Sequence, residues 1–392
     1  MAAWLAAAAP LQAGQTLHAY IGTNTPSRAA PQGETRLPST NDASHGRGIY
    51  LVDVDAATGA LSNLRLAAAT RSPTWLIVDP RHGTLYAANE TGDGTVSAFR
   101  IDAASGALTL LNARPSKGAP VSLAIDASGK YVLAANYGGG SVAVFPIQPD
   151  GSLGDASDIV PAISERTPAR APSPFEHVDD YPSAFHMIGS DHGGRFVFAN
   201  DAMQDRIFVW RLDGMSGRLV PNDPAFFDVP RGRFPRHFVF SPDDRFFYNL
   251  NERGGAIDVS AVSVVDGNVR LRPIGSAPTL PTSYEGRNAT SELLMTRDGR
   301  FLYAANRGHE TIAMFRAGGD GRLVPLGEIA TEASHPRSLT FDPSERFVFS
   351  LNQRGDQVAA FRIDRKTGRL SYTGHSLLVP SPSAMVFAPG SP

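Results

Sequence analysis

The stretch DGRFLYAANRG, residues 298–308, reads as a strand that runs into a turn through Asn306, Arg307 and Gly308. Near-copies occur at HGTLYAANETG from His82, SGKYVLAANYGG from Ser128, DDRFFYNLNERGG from Asp243 and SERFVFSLNQRG from Ser344. Each is the middle of a longer phrase. An apolar strand leads to an Asp-Pro-type turn, and a second strand ends in Asn or Asp. A Gly-rich or polar turn, a third strand and a Gly-x-Leu turn follow. LTFDPSERFVFSLNQRGDQVAAFRIDRKTGRL, from Leu339 to Leu370, is one complete copy; the others begin at Leu76, Leu123, Met187, Phe238 and Leu293. The marks at Asn89 and Asn352 lie five copies apart, a period of about 53 residues, on the scale of propeller blades.

A seventh copy is split between the two ends of the chain. HAYIGTNT, from His18, and GIYLVDVDAATGAL, from Gly48, supply its second and third strands, and PSPSAMVFAPG, residues 380–390, supplies the missing first strand. Short strands rich in Val, Ile, Phe, Tyr and Ala, separated by Gly, Pro, Asp and Asn turns, exclude a helical fold. The expectation is an all-β, seven-bladed β-propeller of four-stranded blades, closed by the C-terminal strand completing the N-terminal blade. An open solenoid or a pair of sandwiches would leave the complementary ends unexplained. The polar and Pro-rich inserts, Thr25 to Arg47 and Gly154 to Pro182, read as loops on the blade rim, either exposed chain or, near a site, a lid.

The chain has 392 residues, no cysteine and a formal net charge of −2. Disulfides, thiolate catalysis and zinc–sulfur sites are therefore excluded. The charge gives no reason to expect nucleic acid or an anionic membrane as a partner, and no apolar run is long enough to span a bilayer. MAAWLAAAAPLQAGQ resembles the apolar and cleavage regions of an export signal but lacks a basic n-region. Residues 1–16 are accordingly expected to be a signal-peptide remnant or tail, and 17–392 a single propeller domain. The expected compartment is periplasmic or secreted, with the cytoplasm as the alternative.

Equivalent positions of every blade lie on one ring around a propeller axis. Just before the innermost strand the ring members are Thr74, Val121, His186, Arg236, Ser291, Arg337 and Ser383. After the Asn of the second strand they are Thr25, Glu90, Tyr137, Ala202, Glu252, Arg307 and Gln353. A third set, Trp75, Ser122, Met187, His237, Glu292, Ser338 and Ala384, follows the first by one residue. Strand alternation predicts that this set lies away from or beside the channel instead of sharing its wall. The first two rings concentrate charge in His186, Arg236, Arg337, Glu252, Arg307 and Glu90, with Tyr137 as a hydrogen-bonding aromatic. Bland readings compete: Glu252 as a structural ion pair with Arg253 or a neighbouring blade, and His186 as a satisfied core histidine.

PRHFVFSPDDRFFYNLNE, RDGRFLYAANRG, HPRSLTFDPSERFVFSLNQ and FHMIGSDHGGRFVFAND resemble the seven-bladed propeller lactonases. That group includes cofactor-free 6-phosphogluconolactonases and a carboxy-cis,cis-muconate cyclase, and the likeness runs from His18 to Pro389. It implies a site at His186, Arg236, Glu252 sixteen residues further on, and Arg307. Two departures bear on substrate choice: Ala184 stands where a second His is usual, and Glu292 is followed by Leu293 and Leu294. The implied activity is lactone hydrolysis without cofactor or metal, on an anionic or sugar-derived lactone. Arg307 and Arg337 would hold the substrate, Arg236 would face the oxyanion, and Glu252 or His186 would take a proton from water. Tyr137, His237, Glu292, Arg337 and Glu90 complete the expected substrate-binding set. The protein is expected to act as a monomer on a small molecule. A muconate-type cycloisomerase is one alternative; a non-catalytic propeller that binds a protein or glycan is another, and the channel charge weighs against it.

Overall fold

The computed structural model describes residues 15–25, 45–162 and 182–389. Within them, strands β1 (Thr16–Thr23) to β28 (Pro382–Phe387), numbered in chain order, form seven four-stranded antiparallel sheets. The inner strands are β4 (Pro73–Asp79), β8 (Pro120–Ile125), β12 (Phe185–Ser190), β16 (Pro235–Phe240), β20 (Ala289–Met295), β24 (Pro336–Phe341) and β28. Each packs on the next, and β24 and β4 flank β28, so the ring is closed. Blade 1 has the order β28-β1-β2-β3, with β2 at Gly48–Asp55 and β3 at Leu61–Ala69. The C-terminal strand pairs with the first strand through Ala19 and Phe387, Tyr20 and Val386, Ile21 and Met385, and Gly22 and Ala384.

The repeated residues have local tasks. The Asp of the turn caps it: Asp126 Oδ1 accepts the N–H groups of Lys130 and Tyr131 at 2.8 and 2.7 Å, and Asp342 Oδ1 those of Arg346 and Phe347 at 2.7 Å. Ser241 and Thr296 do the same with hydroxyls in blades 5 and 6. The Asn that ends four of the second strands is buried and faces backwards. Its Nδ2 donates to the carbonyl of Arg71 from Asn89, of Ser116 from Asn136, of Thr279 from Asn306 and of Thr331 from Asn352, at 2.7–2.9 Å. Each acceptor lies one or two residues beyond the outermost strand of the preceding blade. The Asn is therefore an inter-blade staple. A side-chain amide is needed there to satisfy a carbonyl that no ladder reaches.

The core is distributed. Seven apolar layers lie between successive blades, and the layer at the seam joins Leu17, Ile21, Val52 and Met385 of blade 1 to Phe347 and Phe349 of blade 7. Small residues such as Ala87–Ala88, Ala134–Ala135 and Ala304–Ala305 are fully buried in second strands. They let neighbouring blades approach near the axis, where the wedge between them is thinnest.

Two sequence expectations need correction. Gly154 to Pro182 is not loop throughout: Asp158–Pro161 is β11, the fourth strand of blade 3, paired with Ser141–Val144. Four residues are too few to show alternation, yet the open edge of Ser141–Pro146 requires a partner. The second-ring slot of blade 1 belongs to Asn24, not Thr25. Thr23 pairs with Pro382 as Asn89 pairs with Pro73, and Asn24 N–H reaches the Ser381 carbonyl at 3.0 Å as Glu90 N–H reaches that of Ser72. Most of both inserts, and residues 1–14 of the expected 1–16 leader or tail, lie outside the described residues, while Thr16 already belongs to β1.

Replacing Asn352 by Ala leaves the Thr331 carbonyl and the Ser350 hydroxyl without their partner. The expected loss is about 1–3 kcal/mol of unfolding free energy in urea titration; a loss below about 0.5 kcal/mol would refute the staple.

Candidate functional site

Every inner strand is irregular at the same point. The ladder passes from Pro73 to Trp75, Pro120 to Ser122, Phe185 to Met187, Pro235 to His237, Pro336 to Ser338 and Pro382 to Ala384. The skipped residues are Thr74, Val121, His186, Arg236, Arg337 and Ser383, and β20 skips Ser291 together with Glu292 between Thr290 and Leu293. The first ring is thus a ring of β-bulges. A bulge leaves its residue unpaired and re-aims the side chain.

The bulge also suspends strand alternation, which overturns the expected placement for Trp75, His237, Glu292 and Ser338, whereas Met187 and Ala384 lie in the apolar layers between blades. Trp75 and His237 belong to inner strands that are not neighbours, yet their rings meet edge to face with centroids 5.4 Å apart. His237 Nδ1 lies 2.7 Å from Glu292 Oε1, and Ser338 Oγ donates to Glu292 Oε2 at 2.9 Å. Both His237 and Glu292 are buried. These residues share the axis with the first ring.

Residues ahead of the inner-strand prolines hold the second ring. Ser72, Phe234, His335 and Ser381 have φ between 38° and 63°, a left-handed backbone that is strained for non-glycine residues and unusual before proline. Their carbonyls accept the N–H groups of Glu90, Glu252, Gln353 and Asn24 at 2.8–3.0 Å.

The strongest polar cluster joins blades 4, 5 and 6. Arg236 Nη1 donates to Glu252 Oε2 at 2.8 Å and to His186 Nε2, and its Nε donates to the Ser291 carbonyl at 2.9 Å. Arg307 Nη2 lies 3.0 Å from Glu252 Oε1. Arg307 also bonds the carbonyls of Ala289 and Thr290, and it is 0% exposed. Arg337 contacts Ser383 Oγ at 2.9 Å and Glu90 Oε2 at 3.2 Å. Tyr137 meets the His186 ring edge to face, with centroids 5.5 Å apart.

Electrostatics separate these groups. Burial raises the Glu252 pKa, but Arg307 and Arg236 together outweigh it and hold the carboxyl at about 2. Burial, then the charge of Arg236, pushes His186 well below the ordinary histidine range. Burial also lowers His237, with Glu292 acting in the opposite direction. His335, which the ring alignment passed over, belongs with them. It is buried, its N–H donates to Glu310 Oε2 at 2.6 Å, and burial followed by Arg307 lowers its pKa strongly. Its only signal in the sequence was its place ahead of Pro336.

Four buried polar atoms on inner strands have no hydrogen-bond partner among the described residues: Thr74 Oγ1, Ser122 Oγ, His186 Nδ1 and His237 Nε2. Buried polar atoms are normally satisfied by protein, water or ligand, so these four are open to a polar partner at the axis. Also among the described residues, no group of three His, Asp or Glu converges as metal ligands would.

The family model described as "Lactonase, 7-bladed beta-propeller" matches residues 18–387. A Bacillus subtilis protein named 6-phosphogluconolactonase is 31% identical over 344 residues, covering 87% of this chain and 94% of the relative. The solved structure of the periplasmic gluconolactonase of Pseudomonas aeruginosa superposes with a TM-score of 0.81 at 29% identity, over 95% of this chain and 99% of that one. A putative 6-phosphogluconolactonase from Bacteroides fragilis gives 0.79 at 26% identity, over 97% and 99%.

Glu252→Gln removes the counter-charge of two buried guanidinium groups and is expected to cost about 3–5 kcal/mol near neutral pH. The native pKa of Glu252 lies below its unfolded value of 4.5, so the carboxylate stabilises the fold fully above about pH 4.5. That contribution is lost as pH falls through about 2. Melting both proteins across this window should show the gap closing toward acid; a gap independent of pH would contradict the ion-pair account.

Proposed function

The chain belongs to the seven-bladed β-propeller lactonase family, and on that premise we propose that it hydrolyses an uncharged, polyhydroxylated sugar lactone of the aldonolactone type at the axial cluster. The observation that carries the choice of substrate is the balance of charge. Arg236 and Arg307 share Glu252, Arg337 pairs with Glu90, and Glu292 faces His237. Three arginines stand against three glutamates, and the histidines are held toward neutrality. A phosphate dianion needs surplus guanidinium charge, whereas a hydroxyl-rich ring needs donors and acceptors. The unpartnered Thr74 and Ser122 hydroxyls supply these.

The chemistry follows from the same atoms. Water attacks the lactone carbonyl, and negative charge develops on the carbonyl oxygen. Arg236, fixed by Glu252 and by the Ser291 carbonyl, presents a positive charge that does not have to reorganise. Guanidinium nitrogens carry only donors, so Arg236 can bond His186 Nε2 only by donating to it. His186 therefore carries its own proton at Nδ1, as a second donor toward the oxyanion. Glu252 orients Arg236 and Arg307. With a pKa near 2 it holds protons too weakly to serve as the base.

Steady-state kinetics with glucono-δ-lactone and with its 6-phosphate tests the reading. A kcat/KM at least about tenfold higher on the uncharged lactone is expected, and Arg236→Met should lower kcat by about 10²–10³-fold. Preference for the phosphorylated lactone would overturn the substrate assignment, and inertness toward all lactones would overturn the activity.

A further inference from the structure

We propose that His237, and not Glu252 or His186, is the base that removes the proton from the attacking water, with Glu292 as its positioning residue; this rests on the lactonase reading above. The other two candidates have their lone pairs committed. Glu252 has one oxygen on each arginine. His186 has its Nε2 lone pair on Arg236 and is left with an N–H. His237 has the opposite polarity. Its Nδ1 faces Glu292 Oε1 at 2.7 Å, and an ionised carboxylate only accepts, so Nδ1 carries the proton. The lone pair is on Nε2, which is buried and has no partner among the described residues.

Glu292 is itself fixed. Its Oε1 also accepts the Leu293 N–H at 3.1 Å, and its Oε2 accepts the Ser338 hydroxyl at 2.9 Å. Both carboxylate oxygens are used, so the carboxylate sets the tautomer and the ring direction of His237. The ring is confined on another side by the Trp75 indole. The two imidazoles stand 5.2 Å apart between centroids, and they place an N–H donor beside a nitrogen acceptor at the axis.

The step balances without a co-reactant. A water O–H proton passes to His237 Nε2 as the water oxygen bonds to the carbonyl carbon. The carbonyl π electrons move to its oxygen, against Arg236 and His186 Nδ1–H. On collapse the ring C–O bond breaks, and its leaving oxygen takes the proton back from His237. The groups acting on His237 are Glu292 from β20, Arg236 on its own strand, Arg337 from β24, His186 from β12 and the Trp75 ring from β4. Burial and the arginines outweigh Glu292, so His237 is neutral at pH 7 and ready to accept a proton.

The test combines kinetics on glucono-δ-lactone with long-range ¹H–¹⁵N NMR of histidine-labelled protein. His237→Gln should lower kcat by about 10²–10⁴-fold, with KM changed by no more than about threefold. Wild-type kcat/KM should rise through one acid limb below the ordinary histidine value of 6.5. Glu292→Gln removes the charge that raises the His237 pKa, so it should shift that limb to lower pH and lower the plateau. The NMR spectra should show His237 bare at Nε2. An active wild type whose His237→Gln variant keeps activity within about tenfold overturns the base assignment and leaves the lactonase reading intact. A His237 proton found on Nε2 does the same without any assay and without any variant having to fold. A folded wild type inert to lactones overturns the lactonase reading, and the base role falls with it.

Discussion

The ladder between β28 and β1 is the constraint on which the molecule depends. No single blade buries both of its faces; each apolar layer needs the next blade, and the last layer exists only because Met385 and its strand return to Ile21 and Val52. Closure brings side chains from the far ends of the chain to one axis. Arg337 of blade 7 bonds Ser383 on the C-terminal strand and Glu90 of blade 2, an arrangement that an open solenoid cannot make.

Within the closed ring, the bulge converts architecture into chemistry. A regular inner strand would show the axis one residue in two. With a bulge at the same step in each blade, two consecutive residues reach the centre: Arg236 with His237, Ser291 with Glu292, Arg337 with Ser338. The outcome is two linked clusters. One is built on the Arg236–Glu252–Arg307 ion pairs, and the other on His237, Glu292 and Ser338. The two touch through the rings of His186 and His237.

Stability is given up to hold this geometry. Phe234 and His335 keep left-handed backbones ahead of proline, each at a cost of about 1–3 kcal/mol. Buried charges are expensive to desolvate even when paired. The strain and the charges occur together because the strained carbonyls fix the backbone of Glu252 and Gln353. The seven apolar layers and the Asn staples of the blades supply the compensation.

Much of this was written in the sequence. The phrase ending in Asn, its period and the complementary ends determined a seven-bladed ring, because hydrogen-bonded turns and alternating strands are local and repeat with the residues that form them. The same alignment named His186, Arg236, Glu252 and Arg307 as axial residues. It misplaced Thr25 for Asn24, missed the four-residue strand Asp158–Pro161, passed over His335 and turned Trp75, His237, Glu292 and Ser338 aside from the axis. Those points rest on ladder register and on a bulge, and a pattern of residue types carries neither. That Trp75 touches His237, that Arg307 shares Glu252 with Arg236, and which nitrogen of His186 and of His237 is left without a hydrogen-bond partner were decided only by the tertiary structure. Each is a contact between blades, set by how seven sheets pack around one axis.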